Sequence, residues 1–224
     1  MTIRDVTWGG VHWQVDEPIL PDRVPSDWNF WDHWEAGEFE PDTLETIDRL
    51  VKPGSTFLDC GAWLGNVSMW AARLNAHVIA VEPDPIAAVF LRTNIDANFP
   101  NRIEVFEGAV NSYTGTCHLL EHPQGWGSSM TRLGDEGLEV PCLTLPDLFD
   151  LFDITDCSLV KMDIEGGEAE VLENGAPFLA GLGIPLLVGM HQPWWSRQVE
   201  QSWFSGYSEV VGTIGAWNQV LALP

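Results

Sequence analysis

Thr56-Phe57-Leu58-Asp59-Cys60-Gly61-Ala62-Trp63-Leu64-Gly65 is the stretch on which the fold turns. It reads as a short buried strand, an acid at the strand's end, and a glycine-bearing turn into a helix, because Val67, Trp70, Ala71 and Leu74 then recur at i, i+3, i+4 and i+7. Working outward, Val78-Ile79-Ala80-Val81-Glu82 is the next strand. Asp84-Pro85 supplies an N-cap and a first-turn proline to a helix predicted to carry Ile86, Val89 and Phe90 inward. Ile103-Glu104-Val105-Phe106, Leu159-Val160-Lys161-Met162-Asp163 and residues 185–190 are three further strands. Short strands separated by helical stretches are βαβ units, which build a parallel sheet in an α/β fold.

The flanks are less regular. Residues 1–40 read as a hairpin turning at Gly9-Gly10, followed by a tryptophan-rich lid segment with Trp28, Trp31 and Trp34. From residue 41 to 224 the chain reads as the main domain, so one globular unit is expected overall. Pro41 opens a helix with Leu44, Ile47, Leu50 and Val51 on one face. Between about residues 110 and 155 the βα rhythm breaks into β-like pieces (116–120 and 138–143) around a glycine-rich loop, 124–129. A helix over 167–174 is predicted to stop at Gly175, and residues 207–212 and 217–222 to pair as a terminal hairpin.

Composition narrows the setting. With 45% hydrophobic and 19% charged residues the chain is globular rather than disordered. Thirty-three acids against ten Lys+Arg give a formal charge of −23. Nucleic-acid binding draws on clustered cations, so this balance leads to the expectation of no nucleic-acid partner and no anionic membrane partner. Cys60, Cys117, Cys142 and Cys157 are scattered without a C-x-x-C pair and read as reduced residues of a cytoplasmic protein. The first residues lack a signal peptide's apolar stretch, and the run 184–190 is too short to span a bilayer.

Three predicted strands end in an acid: Asp59, Glu82 and Asp163. In a doubly wound sheet, ligands sit beyond those ends. Gly61 and Gly65 let backbone approach a ligand, with Ala62 and Trp63 in the same turn. A dinucleotide fingerprint has glycine where Asp59-Cys60 stands, and a carboxylate there repels a pyrophosphate but suits a cation. Glu82, followed by Pro83, lies about 20 residues past the glycine turn, where a carboxylate takes both ribose hydroxyls of an adenosine ligand. Ala109-Val110 follows the third strand and offers backbone groups to the base. A plain tight βα turn and a helix-capping acid are the structural alternatives for the glycines and Glu82.

Taken together, Phe57 to Gly65, Ala80-Val81-Glu82-Pro83-Asp84-Pro85, Thr144-Leu145 with Asp147-Leu148, Val160-Lys161-Met162-Asp163-Ile164-Glu165-Gly166-Gly167-Glu168, and Gly206-Tyr207 with Asn218 resemble the FkbM-type methyltransferases over roughly residues 40–222. The resemblance implies a Rossmann-like class I methyltransferase fold: a mostly parallel seven-stranded sheet with an antiparallel C-terminal hairpin, here with an N-terminal hairpin and helical extension. It also implies S-adenosylmethionine (SAM) as donor and O-methylation as the usual reaction but says little about the acceptor, which is expected here to be a small molecule or carbohydrate. On that reading Asp59, Gly61, Ala62, Trp63, Gly65, Glu82, Pro83 and Ala109 bind the cofactor. Asp163, His191 and Glu165 are the catalytic candidates, and Trp126, Ser128, Ser129 and Trp194 the acceptor wall. No metal is required. A Mg²⁺ site through Asp163, with Glu165 and His191, is the less favoured variant. A non-catalytic SAM- or glycan-binding module and a nicotinamide-dependent oxidoreductase are the rival functions.

Overall fold

The computed structural model describes residues 3–16, 29–123, 126–190, 202–214 and 219–224. A two-stranded hairpin comes first, β1 (Ile3–Trp8) and β2 (Val11–Asp16), turning at Gly9 and Gly10, both with positive φ. Helix α1 (Phe30–Glu35) starts where the Asn29 side chain accepts the Trp31 N–H, and α2 (Pro41–Leu50) starts at its proline. The βα alternation then runs β3 (Thr56–Cys60), α3 (Asn66–Ala72), β4 (His77–Val81), α4 (Pro85–Asn98) and β5 (Ile103–Phe106). A small β-insertion follows: β6 (Ala109–Val110), β7 (Gly115–Leu120), β8 (Arg132–Gly134) and β9 (Leu138–Leu143). The remainder is α5 (Leu145–Leu151), β10 (Cys157–Met162), α6 (Glu168–Gly181), β11 (Leu186–Gly189), β12 (Glu209–Ile214) and β13 (Gln219–Leu223).

The main sheet has seven strands in the order β12-β13-β11-β10-β3-β4-β5. Every pairing from β11 to β5 is parallel, and β13 runs antiparallel to both β11 and β12. This is the class I methyltransferase arrangement expected from the sequence. Adjacent residues of each strand feed opposite cores, as period-2 side chains must. Phe57, Val78, Leu159 and Leu187 face the layer holding the α2 and α3 apolar residues. Leu58, Ile79, Val160 and Leu186 face α5 and α6. The insertion forms its own sheet, β6-β9-β7-β8, over a third small core of Ala109, Cys117, Leu119, Val140 and Cys142. All four cysteines are free, and no helix among the described residues is long and apolar enough to cross a membrane.

Two helices differ from the sequence expectation. In α4 the buried residues are Ala87, Ala88, Leu91, Asn94 and Ile95, while Ile86 and Val89 are 41% and 52% exposed. Asn94 is why the apolar pattern misleads: its side chain accepts the Asp16 N–H at 2.6 Å and donates to the Leu64 carbonyl at 2.8 Å, so a polar residue occupies the inward face. Helix α6 runs through Gly175 instead of stopping there, because that glycine is a packing contact: a Cβ would sit 2.6 Å from Leu145 Cδ1 of α5.

Trp31 and Trp34 are buried, and Trp34 joins Trp8, Trp70 and Phe30 in a chain of ring contacts with centroids 6.0–6.4 Å apart. With Asn98, which accepts the Gln14 N–H at 2.9 Å, these rings fasten the N-terminal hairpin to α3 and α4. Trp28 lies outside the described residues.

Candidate functional site

The chain leaves β3 toward β4 and β5 on one side, and later returns through β10 and β11 on the other. The strand order therefore reverses between β3 and β10, which is where an α/β sheet opens a ligand crevice. A cleft lies there, and its walls include Gly61, Trp63, Glu82, Pro83, Ala109, Asp163 and Glu165. Ser128 and Ser129 close it from the insertion side. Val81, Val110, Leu119, Ile164 and Leu133 give it an apolar lining, and Thr131 and Arg132 stand beside the serines.

The floor is backbone. Gly61 has φ 84, and its N–H and that of Ala62 both donate to the Val81 carbonyl at 3.0 Å. A Cβ on Gly61 would run into the carbonyl oxygen of Asp163, whose own N–H donates to the Cys60 carbonyl at 2.9 Å. Gly61 is thus what lets β3 and β10 deliver their ends to the same point. Gly61→Ala is expected to cost roughly 2–5 kcal/mol, because overpacking costs about 1–3 kcal/mol and a left-handed φ on a residue with a Cβ adds about 1–3. Chemical denaturation measures it, and an unchanged midpoint would show that the turn relaxes freely. Gly65 also has a positive φ and abuts Leu91, but neither it nor Ala62 lines the cleft.

Glu82 is held on that floor. One carboxylate oxygen accepts the Trp63 N–H and the other the Asp84 N–H, each at 2.8 Å, and the residue is 6% exposed. Each oxygen keeps a further lone pair for a donor in the cleft. Burial pushes this carboxyl up to about 7, against the pull of the two amides. Asp84, rather than Glu82, caps α4, accepting from Ile86 and Ala87 through one oxygen. Its other oxygen accepts the Gly127 N–H at 2.7 Å and the Thr131 hydroxyl at 2.9 Å. Trp63 Nε1 donates to the Gly127 carbonyl at 2.9 Å, so the segment carrying Ser128 and Ser129 is strapped across the cleft. Trp126 packs into the small core of the insertion instead of lining the cleft.

Asp59 is placed beneath the cleft, not on its wall. It is fully buried; one oxygen accepts the Ser68 hydroxyl at 2.6 Å and the other faces the Lys161 ammonium at 3.9 Å. Burial lifts its carboxyl above the usual range, opposed by Lys161 and Ser68. Lys161 is itself buried and donates to Asp163 at 3.3 Å. Burial alone would lower the ammonium's pKa, but Asp163, Asp59 and Glu40 together hold it above its ordinary value. Glu165 and Trp63 have left-handed backbone at the cleft, φ 58 and φ 48. The loop that carries Glu165 is held by Glu168, whose oxygens accept the Ile164 and Gly166 N–H groups at 2.9 Å. Gly167 is the α6 N-cap.

His191 and Trp194 lie outside the described residues. Among the described residues no three His, Cys, Asp or Glu side chains gather as a metal site. Sequence reasoning passed over Lys161, Arg132, Leu119 and Leu133. Only Lys161 gave a signal, as a charge inside an otherwise apolar buried strand. The lining presents three carboxylates, Glu82, Asp163 and Glu165, against one guanidinium, Arg132. That balance disfavours a pyrophosphate and fits a cationic, phosphate-free nucleoside, with Glu82 placed for a diol and Pro83, Ala109 and Val110 forming an apolar shelf.

Residues 59–210 match the family described as the methyltransferase FkbM domain. The chain belongs to that family. That family is named for methyl transfer, not for a nicotinamide reaction. Among curated proteins, this FkbM domain is 33% identical over 106 residues to a ribosomal protein L11 methyltransferase of Chloroflexus aurantiacus, covering 46% of this chain and 29% of that one. It is 35% identical over 66 residues to a protein of the same name from Clostridium perfringens, covering 29% and 21%. The chain thus spans less than a third of the length of these relatives. Among solved structures, an rRNA methylase from Streptococcus thermophilus superposes with a TM-score of 0.50 at 9% identity, over 81% of this chain and 93% of that one.

These relatives correct the expectation about partners. The sequence reading had a small-molecule or carbohydrate acceptor and no nucleic acid, argued from net charge. Proteins sharing about a third of the matched residues are named for a ribosomal protein, and a structural neighbour for rRNA. Whole-chain charge is a sum over the entire surface, whereas substrate recognition follows the local field at the cleft. The acidity of this FkbM domain therefore excludes neither class of macromolecule.

Proposed function

We propose that this FkbM-family chain is a SAM-dependent O-methyltransferase in which Asp163 receives the proton of the attacking hydroxyl. The observation that carries the reading is the meeting of two carboxylates with different settings in one cleft: Glu82, pinned by two backbone amides, and Asp163, paired with a buried lysine. Bound SAM supplies an electrophilic methyl carried on a sulfonium. Glu82 takes the ribose hydroxyls, Pro83, Ala109 and Val110 bracket the base, and the Gly61 turn brings the backbone close. Holding the acceptor oxygen near the methyl position supplies most of the acceleration. Electrostatic attraction between a carboxylate and the sulfonium weakens as its charge disappears, so Asp163 helps the chemical step as a proton acceptor rather than by that attraction. A neutral amine brings a free lone pair, while a hydroxyl must shed its proton as it attacks; an ion-paired carboxylate serves the hydroxyl more.

The test is to titrate SAM and its demethylated product by calorimetry. The protein is then incubated with SAM and a panel of hydroxyl-bearing small molecules, a ribosomal protein fraction and rRNA, and the methylated atom is located by mass spectrometry. Methyl on oxygen supports the reading. The relatives named for ribosomal protein L11 favour a second one, with a protein as the methyl acceptor, and methyl on a nitrogen of the ribosomal protein fraction would establish it. Absence of SAM binding would remove both.

Affinity for SAM should depend on pH through Glu82. Its carboxyl titrates near 7 in the ligand-free protein, above an ordinary 4.5, and the ionised form is the better acceptor for two hydroxyl donors. Raising the pH through that value enlarges the binding-competent fraction, so the dissociation constant is expected to fall about tenfold from pH 6 to pH 8. A flat profile over that range would show that Glu82 is already ionised at its lower end.

A further inference from the structure

Gly127, in the strap across the cleft, is buried and has both backbone groups engaged by two residues of the cleft floor. Its N–H donates to Asp84 Oδ2 at 2.7 Å, and its carbonyl accepts the Trp63 indole N–H at 2.9 Å. The backbone N–H groups of these same two residues hold Glu82, each at 2.8 Å and each on a different carboxylate oxygen. The four bonds close a ring that runs from Glu82 to Trp63, to Gly127, to Asp84 and back to Glu82. The insertion is thereby joined to the carboxylate that faces the cleft.

Each member is fixed from outside the ring. Asp84 is fully buried, does not line the cleft, and gives its other oxygen to the Ile86 and Ala87 amides of α4. Gly127 has φ 84, a conformation that suits glycine. Trp63 has φ 48 and carries a side chain, a strained arrangement that persists only where the surroundings hold it. Two ring bonds do so, together with Phe30, whose ring centroid lies 4.6 Å from that of Trp63. Phe30 precedes the matched domain, so the N-terminal extension buttresses the ring. The Thr131 hydroxyl adds a second strap bond to Asp84 at 2.9 Å.

We propose that Asp84 is a positioning residue for cofactor binding: it seats the strap and orients the Glu82 carboxylate as one unit, so that a ligand on Glu82 and the seated strap favour each other. The inference rests on the reading of Glu82 as the acceptor for the ribose hydroxyls. Linkage makes the effect reciprocal. Whatever factor the seated strap adds to ligand affinity, the bound ligand adds to the seating of the strap.

Asp84→Asn isolates the strap bond. Asparagine caps a helix as well as aspartate does, so its oxygen stays with the two α4 amides. Its NH₂ group then faces the Gly127 N–H, donor against donor, while the backbone N–H on Glu82 is untouched. The probe is the demethylated product, which has no sulfonium for the lost charge to attract, at about pH 8, above the Glu82 midpoint of about 7. Calorimetry on the full chain is expected to give a dissociation constant about tenfold higher in the variant, within the roughly 5–150-fold range of coupled sites. Amide hydrogen exchange followed by ¹⁵N NMR is expected to show the product slowing exchange at Gly127 about tenfold in the original protein and much less in the variant. If Asp84→Asn does not fold, Asp84→Ser keeps a capping oxygen without the opposed donor, and the same directions are expected. A purely structural Asp84 would give faster Gly127 exchange by the same factor with and without product, and an unchanged dissociation constant; that result overturns the inference. No binding of product by the original protein removes the Glu82 reading and the inference with it, whereas binding that ignores Asp84 removes the inference alone.

Discussion

Glu82→Gln is expected to weaken SAM binding by roughly 100-fold or more, with a similar loss for the demethylated product. The reasoning starts from the hydrogen bonds already present. Both carboxylate oxygens accept a backbone N–H at 2.8 Å, from Trp63 and from Asp84. A glutamine offers one acceptor oxygen and one NH₂ group, so one backbone donor must face another donor. A hydrogen bond to a charged group contributes about 1.5–3 kcal/mol, and the variant weakens two in the complex, which corresponds to roughly 10²–10⁴ in affinity. The ribose is common to donor and product, so the loss must be shared between them. A loss confined to SAM would place Glu82 at the sulfonium instead. Glu82→Ala removes both acceptors and leaves two buried N–H groups unpaired, so it should also lower the unfolding midpoint. Calorimetry on Glu82→Gln, with its thermal midpoint as a control, separates a binding defect from a folding one.

What the sequence revealed and what it hid follow from the range of the interactions. Strands β3, β4, β10 and β11 are legible because they are buried on both faces and read as short apolar runs. The acids at the ends of β3, β4 and β10 are legible because a charge that closes such a run has few structural reasons to be there. Glu82 and Asp163 are therefore visible as cleft residues, while Asp59, equally conspicuous in sequence, is turned beneath the floor toward Ser68 and Lys161. Asp59 sits inside β3, one residue short of its end, whereas Glu82 and Asp163 lie just past the ends of β4 and β10. Arg132 and Leu133 reach the cleft only because β8 folds back on β7, a pairing that three residues of strand cannot announce. The inward face of α4 was misread because Asn94 does a core residue's work through hydrogen bonds.

Asp163→Asn is expected to reduce the turnover number about 10³-fold while leaving the SAM dissociation constant within a few-fold of its original value. The substitution keeps the side chain's shape, so the seat against Gly189 and the backbone bond to Cys60 survive. Lys161 loses one of its carboxylates but retains Asp59 at 3.9 Å and the electrostatic partnership of Glu40, so the buried ammonium is not left uncompensated. What disappears is the group able to accept a proton from the acceptor, and general-base catalysis of this kind contributes about 10²–10⁴. Single-turnover methyl transfer to the acceptor found in the panel, measured beside SAM calorimetry, tests both halves. A large rise in the dissociation constant with unchanged transfer at saturation would make Asp163 a donor-binding residue. Transfer within tenfold of the original at all pH values would remove Asp163 as proton acceptor. Asp163→Glu sharpens the distinction. It restores a carboxylate but lengthens the side chain by one methylene, which moves the carboxylate off its seat beside Gly189, a position so close that a Cβ added there would lie 2.6 Å from Asp163 Oδ1. If position matters as much as charge, glutamate should recover only a small part of the lost rate, because misplacing a catalytic group by about 1 Å can cost roughly 10²-fold.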